Sequence, residues 1–172
     1  TDERTVVAWL DELGRHDVLY PEEDGYRFAS RAIRDALLAG MDDERREANH
    51  RRLGEAFARL ATEDPVMRIE AGFHLIAGGE DVRGADLIAS VTHRSLIVRR
   101  MIANLHLAGR PIEAALEVYK RHRRSIYERM PLLAVLAQAG YYEDRKWADR
   151  YGDEALDVLD DISGLDRARR WS

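Results

Sequence analysis

The chain has no cysteine among its 172 residues. This absence excludes disulfides, thiolate metal sites and a cysteine nucleophile, and it fits a reducing compartment. Four prolines and twelve glycines leave little room for long loops. The uncharged runs fall far short of the roughly 20 apolar residues that a membrane-spanning helix needs. We therefore expect a cytoplasmic protein, built mostly of regular elements, that does not associate with a membrane.

Motifs for catalysis and for ligand binding are missing as well. The sequence contains neither the phosphate loop G-x-x-x-x-G-K-[ST] nor H-E-x-x-H, and its acidic run 153–161 lacks the order of a calcium loop. Glu70 and His74 are four residues apart, but two ligands do not make a metal site, so we interpret them as structural. No nucleophile, base and orienting group occur at motif spacing. The sequence thus predicts no enzyme, no metal and no cofactor.

Charged residues, by contrast, are abundant, at 34% of the chain, beside 45% hydrophobic residues. This composition indicates solvated helices around a real core. The net charge of −5 is uneven: residues 99–124 hold seven Lys/Arg against two Glu, and residues 141–164 hold three Lys/Arg against eight Asp/Glu. We interpret these blocks as solvated helix faces with ion pairs. The alternative is that they favour a partner of mixed charge, or salt-sensitive self-association.

The first 40 residues follow the order helix, hairpin, helix. Val6, Trp9, Leu10 and Leu13 have helical spacing, and Gly14 is placed to end that helix. Two β-prone runs flank the five-residue connection "PEEDG", which predicts a hairpin over 18–28. Ser30 then caps a second helix, with an apolar stripe at residues 33, 36 and 37, which ends at residue 40. Residues 1–40 are therefore predicted to be a partial winged-helix-like unit with one β-hairpin.

Residues 41–172 show a repeating pattern. Ala-Gly pairs recur every 31 residues, at 77–78, 108–109 and 139–140. Each pair is predicted to end an apolar helix at a glycine turn, with Gly109 in the left-handed conformation. The pattern is similar to the tetratricopeptide repeat (TPR), whose period is about 34 residues. We therefore predict an all-α fold, a right-handed solenoid of TPR-like helical hairpins that follows the small N-terminal unit.

The segment "GYRFASRAIRDALLAGMDDERREANHRRLGEAFARL" resembles the helical region that follows the ATPase core in signal-transduction ATPases with numerous domains, the STAND regulators. The match involves Tyr26, Phe28, Ile33, Arg34 and Asp35, then residues 50–56, and residues 71–90 resemble the next element. One departure is Ser30, which stands where these proteins often have histidine. The resemblance implies a regulatory module cut from a larger chain, with the ATPase core before residue 1. The acidic start without methionine agrees with such a cut.

The partner-binding candidates combine a basic helix end, "KRHRR", with C-terminal aromatic residues: Lys120, Arg121, Arg123, Arg124, Tyr141, Tyr142 and Trp147. Core or cap packing is the other interpretation of the aromatic residues, Tyr151 among them. We expect a protein or peptide partner on the repeat surface, and the upstream ATPase core as a partner within the full-length chain. The alternative function is nucleic-acid binding through the wing and the basic helix 99–124. The acidic wing tip, residues 22–24, opposes that alternative.

Overall fold

A computed structural model describes residues 2–23, 25–61, 64–92, 105–143 and 148–158. These ranges contain one β-hairpin and eight helices: α1 (Glu3–Arg15), β1 (Leu19–Glu22), β2 (Gly25–Phe28), α2 (Arg31–Ala39), α3 (Asp43–Leu60), α4 (Pro65–Ala77), α5 (Asp81–Thr92), α6 (Leu105–Arg121), α7 (Ile126–Glu143) and α8 (residues 148–158). The predicted all-α fold with one small hairpin is confirmed. No helix in the described ranges combines the length and the apolar composition needed to cross a membrane.

The chain divides into two compact units, Thr1–Arg46 and Glu47–Ser172. We call them the N-terminal unit and the C-terminal unit. The N-terminal unit holds α1, the hairpin, α2 and the start of α3. The C-terminal unit holds the rest of α3 and all later helices.

Helix α1 ends differently from the prediction. Gly14 lies inside the helix, and the left-handed position belongs to Asp17, with φ 54°. The Val18 N–H donates to the Leu13 carbonyl over 2.9 Å, and the Asp17 N–H donates to the Gly14 carbonyl over 3.1 Å. These two bonds form a Schellman motif, in which a short polar side chain can replace the usual glycine. The assignment of the helix end to Gly14 is therefore wrong.

The hairpin and the helix after it agree with the sequence. Strands β1 and β2 pair antiparallel, with Leu19 opposite Phe28 and Glu22 opposite Gly25. Only two residues separate the strands, so the connection is shorter than the predicted five. The Ser30 hydroxyl oxygen accepts a hydrogen bond from the Ile33 N–H over 3.2 Å and caps α2, as predicted. Gly40 is the C-cap of α2, also as predicted.

The core belongs almost entirely to the C-terminal unit. Helix α4 packs on α5, α6 packs on both of them, and α7 packs on α6 and α5. The largest fully buried side chains are all in this unit: Ile69, Leu75, Ile88, Val91, Ile112, Leu116, Leu132, Leu133, Leu136 and Tyr151. In the N-terminal unit, Leu19 is the one buried hydrophobic residue among those described. Helix α2 buries none of its residues, including its predicted apolar stripe.

Glycines allow the first helices of the C-terminal unit to touch backbone to backbone. A Cβ atom on Gly72 of α4 would lie 2.6 Å from the Gly84 carbonyl oxygen of α5. A Cβ atom on Gly84 would lie 2.5 Å from the Gly72 carbonyl oxygen. On α3, a Cβ atom on Gly54 would lie 2.8 Å from Leu75. Only glycine fits such approaches without a shift of the neighbouring helix.

Two further Schellman motifs form the helical turns of this unit. Gly79 (φ 81°) follows α4, and Arg123 (φ 51°) follows α6. In each motif an N–H donates back to the carbonyl five residues earlier, from Glu80 to Leu75 and from Arg124 to Tyr119, both over 2.9 Å.

The predicted repeat register is correct at its first turn and wrong at the next two. Helix α4 ends at Ala77, as predicted. Gly109, however, is a buried residue within α6, and Gly140 lies within the α7 helix. Arg123 takes the left-handed turn position instead, because the Schellman hydrogen bonds hold a non-glycine residue there.

Candidate interaction surface

Two of the predicted cations at the end of α6 are paired within the chain. The Lys120 Nζ lies 2.8 Å from a Glu154 carboxylate oxygen of α8 and 3.2 Å from Glu117. Arg121 lies 3.0 Å from the carboxylate of Asp81 at the start of α5. The Lys120–Glu154 pair joins the basic block to the acidic block, so part of the opposed charge is neutralised inside one copy.

Arg124 belongs to a network that connects α5, α6 and α7. Its guanidinium lies 3.4 Å from both oxygens of Asp86 and 3.0 Å from Glu128. Asp86 also accepts the Tyr119 hydroxyl over 2.8 Å, and burial together with this bond raises the pKa of Tyr119. The Ser125 hydroxyl and N–H donate to Glu128, forming a capping box that lowers the pKa of Glu128. The network fixes the turn before α7.

Arg123 differs from its three basic neighbours. Its side chain is exposed and has no ion pair or hydrogen bond with any described residue. It follows His122, which lines a depression of about 650 Å³ where the α4–α5 and α6–α7 turns meet. The residues that line the depression are Gly79, Glu80, Asp81, Val82, Arg83, Asp86 and His122. We call these residues and Arg123 the turn surface; it combines three carboxylates with two guanidinium groups.

The turn surface is anchored to α3 by an ion pair. Arg83 donates to both carboxylate oxygens of Glu55, one of them over 3.3 Å. This pairing lowers the pKa of Glu55 and raises that of Arg83. Since both side chains are largely exposed, we assign the pair to positioning Arg83 rather than to stability.

A histidine pair joins α3 to α4 and was not evident from the sequence. The Nδ1 atoms of His50 and His74 lie 2.8 Å apart, and the Phe57 ring stacks on His74 at 5.6 Å. Burial, and then the nearby His50, lower the pKa of His74. Sequence spacing drew attention to Glu70 instead, because it lies on the same helix as His74, whereas His50 comes from another helix.

The aromatic half of the predicted site falls mostly outside the described residues. Trp147 lies there, as do the side chains of Tyr141 and Tyr142. Tyr151 of α8 is described: it is fully buried, and its hydroxyl donates to Glu113 of α6. This position agrees with core packing, the other interpretation of the cluster.

Within the described ranges, no group of three or more His, Cys, Asp or Glu side chains is placed to hold a metal ion. Comparison of the chain with protein-family models, curated proteins and solved structures gives no match. The basis for a function is therefore the geometry of the two units, together with the sequence resemblance.

Proposed function

We propose that the chain is a non-catalytic interaction and regulatory module of a STAND-type regulator, which binds a protein or peptide through the turn surface. The observation that carries this proposal is Arg123, which is exposed, pairs with no described residue, and follows His122 of a depression lined by groups of both signs. Buried helices hold the two turns in place, so the charges are preorganised for a partner. Preorganised charges of both signs favour a partner with complementary mixed charge and reject one of a single sign.

The N-terminal unit supports the regulatory part of the proposal. Its order of helix, hairpin and helix is that of the end of a winged helix, as the STAND resemblance implies. A two-stranded hairpin is marginal alone and needs a cover on its apolar face. We also propose the upstream ATPase core of the full-length regulator as a partner of this module, and we place the protein in the cytoplasm.

The charges disfavour the nucleic-acid alternative. Proteins that bind phosphate backbones release counterions from several Lys or Arg side chains at once. Here Lys120, Arg121 and Arg124 already contact carboxylates. On the hairpin, Arg27 pairs with Glu22. A phosphate backbone would have to displace these carboxylates.

To test the proposal, peptides that bind the wild-type chain are selected from a randomised display library. We expect peptides with both charge signs, and a loss of affinity of about tenfold in Arg123→Glu, which corresponds to about 1.4 kcal/mol. Arg110→Glu is the matched control, because Arg110 is also exposed but lies near the other end of α6.

Equal binding by wild type and Arg123→Glu would overturn the assignment of the turn surface. Salt-sensitive binding of duplex DNA that is lost in Arg123→Glu and kept in Arg110→Glu would instead support the nucleic-acid alternative. Circular dichroism of each variant confirms that the fold is unchanged.

A further inference from the structure

The N-terminal unit carries an exposed apolar groove. It has a volume of about 720 Å³ and lies beside β2, α2 and the turn that leads into α3. Its apolar lining includes Phe28, Leu37, Leu38 and Met41. Leu37 is 54% exposed and Leu38 is 48% exposed. A contiguous exposed apolar surface of this kind is typical of sites that bind another apolar element.

The charged side chains that line the groove are basic. Arg34 and Arg45 are its charged lining residues. Arg45 has no ion pair with any described residue, whereas Arg34 contacts Asp35 at 2.8 Å. Arg46, next along the chain, donates to the Leu38 and Met41 carbonyls over 3.3 and 3.1 Å, which fixes the turn below the groove. An apolar groove with arginines at its edge is complementary to an acidic amphipathic helix.

Helix α1 has the required properties. Val6, Trp9 and Leu13 lie on one face and are 40%, 56% and 38% exposed. Residues 2–15 hold four Asp/Glu against two Arg. The 13 residues of α1 span roughly 20 Å, enough to lie along the shorter α2. Within its own unit α1 packs on β1, whereas the groove lies beside β2.

We infer that α1 of a second copy of this chain docks in the groove, with the reciprocal contact formed at the same time. Because each copy has one helix and one groove, a two-fold symmetric dimer uses both sites of each copy and leaves none for a third. One helix in one groove buries little compared with the roughly 800 Å² per partner of a stable interface, and the reciprocal contact doubles that area. The contact does not use the turn surface, so it can fail independently of the proposed function.

The test is analytical ultracentrifugation of the full chain across the micromolar range. We expect a monomer–dimer equilibrium that both Trp9→Glu and Leu37→Glu abolish, because each places a charge in the apolar contact. Both side chains are exposed, so circular dichroism should show an unchanged helical content. Leu156→Glu is the matched control: that leucine is 61% exposed in the C-terminal unit, and the variant should dimerise normally.

Mixing the two variants sharpens the test. The Leu37→Glu copy keeps an intact α1 and the Trp9→Glu copy keeps an intact groove, so the mixture should form one of the two contacts and recover weak association. A wild-type chain that is monomeric throughout, or a dimer indifferent to both variants, would overturn the inference. A monomer that nevertheless binds an added acidic amphipathic peptide at Leu37 would also overturn it, and would assign the groove to another protein's helix.

Discussion

The two units use similar amphipathic helices with opposite results. In the C-terminal unit, apolar faces meet between α4, α5, α6 and α7 and enclose a core. Among the described residues of the N-terminal unit, nine large apolar side chains remain exposed: Val6, Val7, Trp9, Leu13, Tyr20, Tyr26, Phe28, Leu37 and Leu38. Periodicity alone thus produces a helix in both units, but burial requires a second apolar layer. Two short helices and a hairpin do not supply that layer.

Truncation of one leucine in each unit gives the largest expected contrast. Leu116→Ala should lower the free energy of unfolding of the C-terminal unit by about 2–5 kcal/mol, since it empties a fully buried site. Leu37→Ala, at a site that is exposed within one copy, should change the stability by less than about 0.5 kcal/mol when the protein is dilute enough to be monomeric. Chemical denaturation followed by circular dichroism measures both. Equal losses would mean that the apolar face of α2 is covered in solution.

Replacement of glycine by alanine should have opposite effects at two positions, one in the contact between α4 and α5 and one on α8. Gly84→Ala should destabilise the C-terminal unit by about 1–3 kcal/mol, because the new Cβ meets the Gly72 carbonyl oxygen. Gly152→Ala on α8 has open space around the new Cβ and should stabilise it by up to about 1 kcal/mol. Thermal melts of both variants provide the measurement. A neutral Gly84→Ala would show that the two helices can separate at little cost.

We expect the histidine pair to make the stability of the C-terminal unit depend on pH. The pKa of His74 is lowered from its ordinary 6.5 in the folded protein. Well above pH 6.5, the His74 side chain is therefore uncharged in both the folded and the unfolded state. As the pH falls below 6.5, the unfolded chain takes up the proton first, and stability declines until the lowered pKa is passed. The lowered pKa values of Glu55 and Glu128 act only below about 4.5.

Denaturation at a series of pH values between neutrality and pH 5 should therefore show a falling midpoint. His74→Gln should remove that decline, because its amide still bonds to His50 without titrating. His122→Gln, at an exposed histidine, should leave the decline in place. If the stability of His74→Gln still declined as the pH falls, the decline would have to come from other titratable groups.

The smallest expected effects compare one turn residue in each unit. Arg123→Gly should stabilise the C-terminal unit by about 0.5–1 kcal/mol, since glycine takes positive φ without strain. Asp17→Gly should gain less, because aspartate tolerates this conformation better than arginine. Hydrogen exchange at Val18 and Arg124, the residues after each turn, reports the two effects separately. A loss of stability in Arg123→Gly would show that the arginine side chain itself holds the turn.

Local signals in the sequence were sufficient where a residue acts through its neighbours. The Ser30 cap, the Gly40 end and the hairpin each depend on contacts within a few residues, and the sequence predicted all three. The turn at Arg123 and the buried Gly109 were not predictable in this way. The turn forms through its Schellman hydrogen bonds without the glycine that would signal it, and glycine occurs in buried helix positions as well as in turns.

Charge gave a similarly limited view of the candidate surface. The sequence showed a basic helix end, but the carboxylates that neutralise it come from elsewhere in the chain, as Glu154 and Asp81 do. Arg121 and Arg124 differ from Arg123 in this tertiary pairing, which a linear sequence does not show. Linear charge counts therefore overstate the positive character of this surface.

The contact between Gly72 and Gly84 also limits how this sequence can diverge. Any side chain at either position would displace a helix. We therefore expect both glycines to be retained during evolution even where the surrounding residues are substituted. A relative with the same helix pair should keep two glycines twelve positions apart, with a left-handed turn between them. We expect this spacing to help identify the helix pair in relatives whose overall sequence identity is low.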